Sequence, residues 1–486
     1  MLERAGIIAG MSGSPVYFDG KWAGAVGYSF NYQKEPIGLV TPAAAMLAVW
    51  DDSTPAAPAR RLDAHGRAND GATALAPVGA PLFIGGLGPR TFAQAAELLR
   101  GYGLLPVQGG AAAGGADLGP EAIVPGAAFG IQLARGDIDF TGIGTVTWRE
   151  GDRMLGFGHP MFQLLDGEYP MVTAHILTVN PSYASSFKLG VAGREVGTIS
   201  LDRAPAVGGV VGPQRARMVP IEVAVTLGGR TRELHCEVVD HPLLFFPLAA
   251  MAVSSGIEEL TGGGDMVCRT VASFKFAGYP EITRRDTLYA PGMVDIYEAL
   301  FPLSLKDNPW EALNVERARI AVELAPGRGF AELESVRTDH LAVQPGEDVT
   351  IQAVVRPFGE PRRTVPLTFT VPDWLEDGTE LAVHIGPGNE LPSMPPIDDL
   401  GDIFKLWQEV GQGDQLMLTL RLPLRTQYLG GRAYTDLPGA VSSVLNDASR
   451  ATSRAARRTE YQFVRVAAGT VVSGEHELQF TVQRRP

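Results

Sequence analysis

Gly10-Met11-Ser12-Gly13-Ser14-Pro15 stands between two short apolar runs, Ala5–Ala9 and Val16–Phe18, and a second turn at Asp19-Gly20 leads into a third run, Trp22–Phe30. Apolar runs of this length, punctuated by glycine and aspartate, predict β-strands joined by tight turns. The two glycines let the backbone bend so that the N–H groups of Gly10 and Ser12 converge on one spot beside the Ser12 hydroxyl. Such a spot could hold the oxyanion of a tetrahedral intermediate. The same residues also suit a glycine-rich hairpin with a polar tip, and the turn alone does not choose between the two.

The flanks add a pattern. Gly6-Ile7-Ile8-Ala9-Gly10-Met11-Ser12-Gly13-Ser14-Pro15-Val16-Tyr17, followed by Asp19-Gly20-Lys21-Trp22-Ala23-Gly24-Ala25-Val26, resembles the nucleophile segment of the SpoIVB-type serine peptidases (serine peptidase family 55). That resemblance implies a chymotrypsin-like β-barrel, Ser12 as nucleophile, and the Gly10 and Ser12 amides as oxyanion hole. A second stretch resembles the same family: Gly142-Ile143-Gly144-Thr145-Val146-Thr147 on a predicted strand, an acidic turn over Asp152–Gly156, then Gly156-Phe157-Gly158-His159. A Gly-His-Pro loop by itself reads as structural; the resemblance implies that His159 is the general base. Glu195–Ile199, Asp202-Arg203 and Gly208-Gly209 resemble the segment that follows the histidine in the family.

Val239-Asp240-His241-Pro242-Leu243-Leu244 resembles the family's aspartate-bearing segment, which makes Asp240 the candidate acid to orient His159. The order is inverted, because in the family the histidine precedes the serine. Either a permuted pair of barrels or a tandem duplication with a degenerate second unit accounts for it. Ser255 follows in Met251–Ile257, where the Gly-x-Ser-Gly-x-Pro pattern is lost, and is not expected to be catalytic. His235 and His241 read as surface or packing residues, and the eight histidines show no metal-ligand spacing. No motif implies a cofactor.

The chain has 486 residues, enough for about three domains. Gly 58 and Pro 36 favour many short strands and turns over long helices. The net charge of -13 argues against nucleic acid as a partner. Two cysteines, Cys236 and Cys268, are too few for a disulfide framework or a zinc site. There is no apolar run long enough for a transmembrane helix, and Met1-Leu2-Glu3-Arg4 does not begin a signal peptide. A serine barrel needs strands before its nucleophile turn, so a preceding portion carrying an export signal is expected.

The fold expected is mainly β, with chymotrypsin-like β-barrel units followed by an immunoglobulin-like β-sandwich and a small α+β C-terminal part. The expected divisions are a truncated serine barrel over 1–50, a linker over 51–80, a helix-containing connector over 81–125, a His-bearing barrel region over 126–285, the sandwich over 286–395, and the α+β region over 396–486. Short helices are predicted after Pro42, capped by Thr41, and at 91–102, 310–313, 398–410 and 439–451; Arg454, Arg457 and Arg458 are expected in a solvated turn. The activity expected is that of a serine endopeptidase acting on envelope or secreted proteins, its partner a protein or peptide substrate. A non-catalytic binding or scaffold protein is the alternative.

Overall fold

The computed structural model describes residues 5–30, 35–51, 75–100, 104–109, 118–162, 167–182, 186–262, 264–290, 308, 310–391, 399–429, 432–435 and 453–484. The expected helix at 439–451, most of the linker and most of the loose connector near 109–115 lie outside these residues. The protein is mainly β and divides into two compact units. The first comprises Met1–Gly262, Ser273–Glu281 and Ile296–Ala321; the second comprises Gly263–Ala272, Ile282–Asp295 and Val322–Pro486.

The serine turn opens a small sheet in the first unit. Its strands are β1 (Pro15–Phe18), β2 (Lys21–Phe30), β3 (Gly38–Pro42) and β4 (Leu75–Pro77), ordered β1-β2-β3 with β4 also on β2. Asp19 and Gly20 join β1 to β2 with φ of 48° and 76°, the left-handed pair that matches the twist of a hairpin. The run Ala5–Ala9 is not a strand. Only Ala9 forms a bridge, to Phe187, because the chain turns between Ile8 and Met11. Among the described residues this sheet is open rather than closed into a barrel. Helix α1 (Ala43–Leu47) follows Pro42 without a side-chain cap, because the Thr41 hydroxyl bonds elsewhere. Ala25 and Met46 pack in one apolar cluster with Leu155 and Ala206.

A closed barrel follows. β5 (Pro81–Gly85) and β6 (Leu105–Gln108) run parallel, joined through helix α2 (Pro89–Arg100). After them come β7 (Ala128–Gly136), β8 (Asp139–Glu150), β9 (Arg153–Gly156), β10 (Tyr169–Asn180), β11 (Phe187–Arg203) and β12 (Ala206–Val211). Their antiparallel pairings run β7-β10-β11-β12-β9-β8 and return to β7. Six strands with no free edge make a ring small enough for side chains to fill. Phe129, Phe140, Ile143, Val146 and Phe157 are fully buried. Residues 153–156, expected to cross a turn, form the short strand β9 between β8 and β12.

β5 extends the sheet from β8, and the hairpin β13 (Met218–Leu227) and β14 (Arg230–Val239) extends it from β7. Helix α3 (Phe245–Leu260) follows and packs on that hairpin. Cys236 and Cys268 are free and buried, and burial, largest among the causes, pushes each thiol up to about 12.

The second unit is a sandwich. One sheet holds β18 (Phe330–Arg337), β20 (Asp348–Pro357), β21 (Arg363–Thr370) and β26 (Val471–Ser473) in the order β21-β20-β18-β26. The other is built on β22 (Glu380–Pro387), β23 (Gln415–Leu429), β25 (Ser453–Ala467) and β27 (His476–Val482), with the short β19 (Ala342–Val343) and β24 (Arg432–Thr435). One core of alternate residues, including Ile351, Leu367, Val383, Leu418 and Phe480, joins both sheets. The boundary expected at 395 therefore falls inside the sandwich: strands from 415–482 complete it rather than forming an α+β region with a core of their own. Arg454, Arg457 and Arg458 lie on β25, not in a turn. Helix α4 (Leu400–Glu409) is present, capped by the Asp399 carboxylate accepting from Asp402 N–H at 3.0 Å. Residues 310–313 are not helical. The strands β15 (Met266–Phe276), β16 (Glu281–Ala290) and β17 (Val315–Pro326) each contribute residues to both units.

Candidate active site

Strand β8 organises the site, and the spacing Gly-x-Gly-Thr-x-Thr explains how. On one face, the Thr145 hydroxyl donates to the Gly10 carbonyl at 2.9 Å and the Thr147 hydroxyl donates to the Gly13 carbonyl at 2.7 Å. The Thr145 N–H donates to the Ser12 carbonyl at 3.0 Å. Two threonines at i and i+2 share a strand face, so they hold successive parts of the serine turn. On the other face, Gly144 leaves room for an aromatic ring: a Cβ there would stand 2.6 Å from Phe157 Cζ.

The turn itself is fixed from the opposite side as well. Gly13 N–H donates to Val26 O at 2.8 Å, and Ser14 N–H to Met11 O at 2.9 Å. Gly13 has φ of 88°, and a Cβ on it would lie 2.1 Å from Thr145 O and 2.5 Å from Phe157 N. Only glycine satisfies both the left-handed backbone and the close approach. Held in this way, the Ser12 side chain is fully buried, and its Oγ has no hydrogen-bond partner among the described residues.

The histidine loop leaves β9 through Phe157 and Gly158, both left-handed at φ of 65° and 64°. A phenylalanine in that region costs of order 1–3 kcal/mol and persists only where its surroundings compensate. Here the Phe157 ring is fully buried and packs edge-on against Phe129, centroids 5.3 Å apart. Thr41 Oγ1 donates to Gly158 O at 2.5 Å. Beyond the loop, the buried Asp202 carboxylate accepts from Met161 N–H at 2.7 Å and Phe162 N–H at 2.8 Å.

His159 is 3% exposed, with Tyr28 and Phe157 rings edge-on at 6.3 and 5.9 Å. Its Nδ1 lies 2.7 Å from the Pro160 carbonyl oxygen, while Nε2 has no hydrogen-bond partner among the described residues. A carbonyl can only accept, so the neutral ring carries its proton on Nδ1 and presents a bare Nε2. Burial lowers the pKa of His159 below the ordinary histidine value, against smaller upward contributions from the backbone of Pro160 and Val78. Near neutral pH the ring is therefore an uncharged base.

The two loops meet. Gly13 abuts Thr145 O and the Phe157 amide, Gly158 abuts Ala25 and Val26, and Val26 O holds the Gly13 N–H. Ser12 Oγ and His159 Nε2 are not hydrogen-bonded to each other, since neither has a hydrogen-bond partner among the described residues. Two expectations about the rest of the machinery are corrected. The Asp240 carboxylate ion-pairs with Arg217 at 3.3 Å, and the place expected for it at His159 Nδ1 is taken by Pro160 O. The Gly10 N–H, expected as an oxyanion donor, donates to Gly79 O at 3.2 Å, whereas the Ser12 N–H makes no backbone hydrogen bond among the described residues. His241 is buried and stacked on Tyr169 at 5.7 Å, and His235 is exposed, so both are packing or surface residues. Among the described residues no three His, Cys, Asp or Glu side chains converge as a metal site.

Comparison with family profiles, with curated proteins and with solved structures finds no match to this chain.

Proposed function

We propose that the chain is a serine endopeptidase of the SpoIVB type, hydrolysing peptide bonds in envelope or secreted proteins. The observation that carries the reading is a pair of buried polar atoms without hydrogen-bond partners among the described residues, Ser12 Oγ and His159 Nε2, on two loops stitched to one another. Leaving a polar atom buried and unpaired costs about 1–3 kcal/mol. Two such atoms of complementary chemistry, a hydroxyl and a neutral imidazole nitrogen, are expected where a reaction supplies the missing partner.

In the step proposed, Ser12 Oγ attacks the scissile carbonyl carbon while His159 Nε2 takes the hydroxyl proton. The same nitrogen then returns the proton to the leaving amine as the C–N bond breaks. Pro160 O keeps the imidazole in the required tautomer, a task given to a carboxylate in other serine hydrolases. The Ser12 N–H, which makes no backbone hydrogen bond among the described residues, is the proposed donor to the developing oxyanion. The hydrogen bond between Oγ and Nε2 forms only when substrate draws the two loops together, as is common for unliganded sites.

A second reading is a non-catalytic envelope scaffold. The absence of a bond between the two side chains and their near-complete burial favour it. A fluorophosphonate probe separates the two. Covalent labelling located at Ser12 by peptide mass, lost in Ser12→Ala and slowed in His159→Gln, supports the peptidase. Absence of labelling in folded protein across pH 6 to 9 favours the scaffold.

A further inference from the structure

Lys188, on β11, is the cation placed against the serine turn. Its N–H donates to Ala9 O at 3.0 Å, its Cβ and Cδ would lie 3.4 Å from a Cβ on Gly10, and its Nζ donates to Thr145 Oγ1 at 3.1 Å. That hydroxyl in turn donates a hydrogen bond to Gly10 O, and the Thr145 amide donates to Ser12 O. The ammonium thus stands one hydrogen-bonded residue away from the nucleophile. It is partly buried, and desolvation lowers its pKa with no carboxylate acting against the shift. By contrast, half-buried Arg135 in the same unit meets two acids, bridging Glu195 and Glu237 at 2.7 and 2.5 Å.

A partly desolvated ammonium that spends one N–H on a hydroxyl and faces no acid among the described residues lacks its counter-charge. We infer that Lys188 is a specificity residue that binds a carboxylate of the substrate, an acidic side chain lying next to the scissile bond. This rests on Ser12 being the nucleophile, as proposed above. The remaining N–H donors of Nζ supply point-charge recognition of a carboxylate, without the fixed fork an arginine would impose. Thr145 then couples substrate charge to the turn that carries Ser12.

Three fluorophosphonates of equal length, ending in a carboxylate, an amide and a trimethylammonium group, test this. Their second-order labelling rates would be measured on the wild type, Lys188→Met, Lys188→Arg and Lys188→Glu, each checked for a native melting transition. The expected result is a rate for the anionic probe roughly tenfold above the amide in the wild type, since one close charge pair is worth about that factor or more. The preference should vanish in Lys188→Met, persist in Lys188→Arg and invert toward the cationic probe in Lys188→Glu. Equal losses for all three probes in Lys188→Met overturn the inference, because the charge would then serve the oxyanion and not a substrate carboxylate. Labelling that ignores probe charge in every variant overturns it too, while leaving Ser12 as nucleophile intact. Should nothing label Ser12, binding of an acetylated Asp peptide amide and its Asn analogue to Ser12→Ala decides by calorimetry: an Asp preference lost in the Lys188→Met double variant supports the carboxylate site, and equal binding refutes it.

Discussion

Ser12 and Ser255 are both fully buried, and both are followed directly by a glycine. They differ in what the fold does with the hydroxyl. Ser255 lies inside helix α3, and its Oγ donates to Gly86 O at 2.8 Å. Ser12 sits in a left-handed turn pinned from two sides, and its Oγ has no hydrogen-bond partner among the described residues. A helix turns its serine toward a neighbouring carbonyl and closes the account within the structure. The turn spends its backbone bonds on holding position and leaves the side chain unmatched. Burial alone says little about function; burial without a partner, on a backbone that is over-determined, says more.

The largest effect that would break this contrast is expected from Gly13→Ala. A methyl at 2.1 Å from Thr145 O cannot be accommodated without moving β8 or the Phe157 loop. Overpacking and left-handed strain together are expected to cost on the order of 3 kcal/mol. Chemical denaturation would show the loss, and Ser12 labelling should fall below detection. Gly256→Ala tests the other serine's neighbour; it sits in a helix without positive φ, and the side-chain atoms it would meet, Leu234 Cδ1 and Val225 Cγ2 at 2.9 Å, can give. Its cost should be clearly smaller.

Asp202→Ala comes next. It strands the Met161 and Phe162 amides that hold the chain after His159. Two lost bonds to a carboxylate are expected to cost roughly 2–4 kcal/mol. Asp202→Asn, which keeps one acceptor oxygen, should retain part of the stability and part of the labelling rate. Equal stability of wild type and Asp202→Ala would refute the role given to this carboxylate.

The serines themselves give the smaller and sharper pair. Ser255→Ala should destabilise by about 1 kcal/mol, because it leaves Gly86 O without its donor. Ser12→Ala removes an atom that had no bond to lose, so stability should be unchanged or slightly raised while labelling disappears. A destabilisation by Ser12→Ala equal to that of Ser255→Ala would erase the distinction between them.

Much of this was legible in the sequence, and the reason lies in which interactions are local. Alternation in β20 and β21 gives a period of two that marks one buried face, and the glycines of both loops stand at fixed offsets from Ser12 and His159. Four-residue β9 read as a turn because its identity as a strand comes only from β8 and β12 on either side. Closure of the barrel, through the β7–β8 pairing, is equally a matter of distant partners. The site's supports escaped for the same reason. Pro160 replaces Asp240 at His159 through a backbone carbonyl, which no side-chain pattern encodes. Thr41 looked like a helix cap because its sequence neighbours are Pro42 and an alanine run, yet its hydroxyl crosses 117 positions to Gly158. Lys188 carries no motif at all; its meaning comes from Gly10 and Thr145.

The smallest expected effect concerns pH and separates His159 from an ordinary surface histidine. Burial holds its folded pKa below the usual 6.5. Below about pH 6.5 the unfolded chain then binds a proton that the folded chain refuses, so stability falls as pH drops through that value toward the folded pKa. Above it, both states are neutral and the contribution is fully present. Wild type and His159→Gln should therefore show a constant difference in melting temperature above about pH 7 and a changing one below about pH 6, with wild type the more acid-sensitive. The same shift keeps Nε2 bare in mildly acid solution, so the acid limb of Ser12 labelling should lie below the ordinary histidine range. A limb at or above pH 7, or identical acid profiles for wild type and His159→Gln, would mean that the imidazole is solvated and charged, and that the left-handed loop holds it for some purpose other than taking a proton.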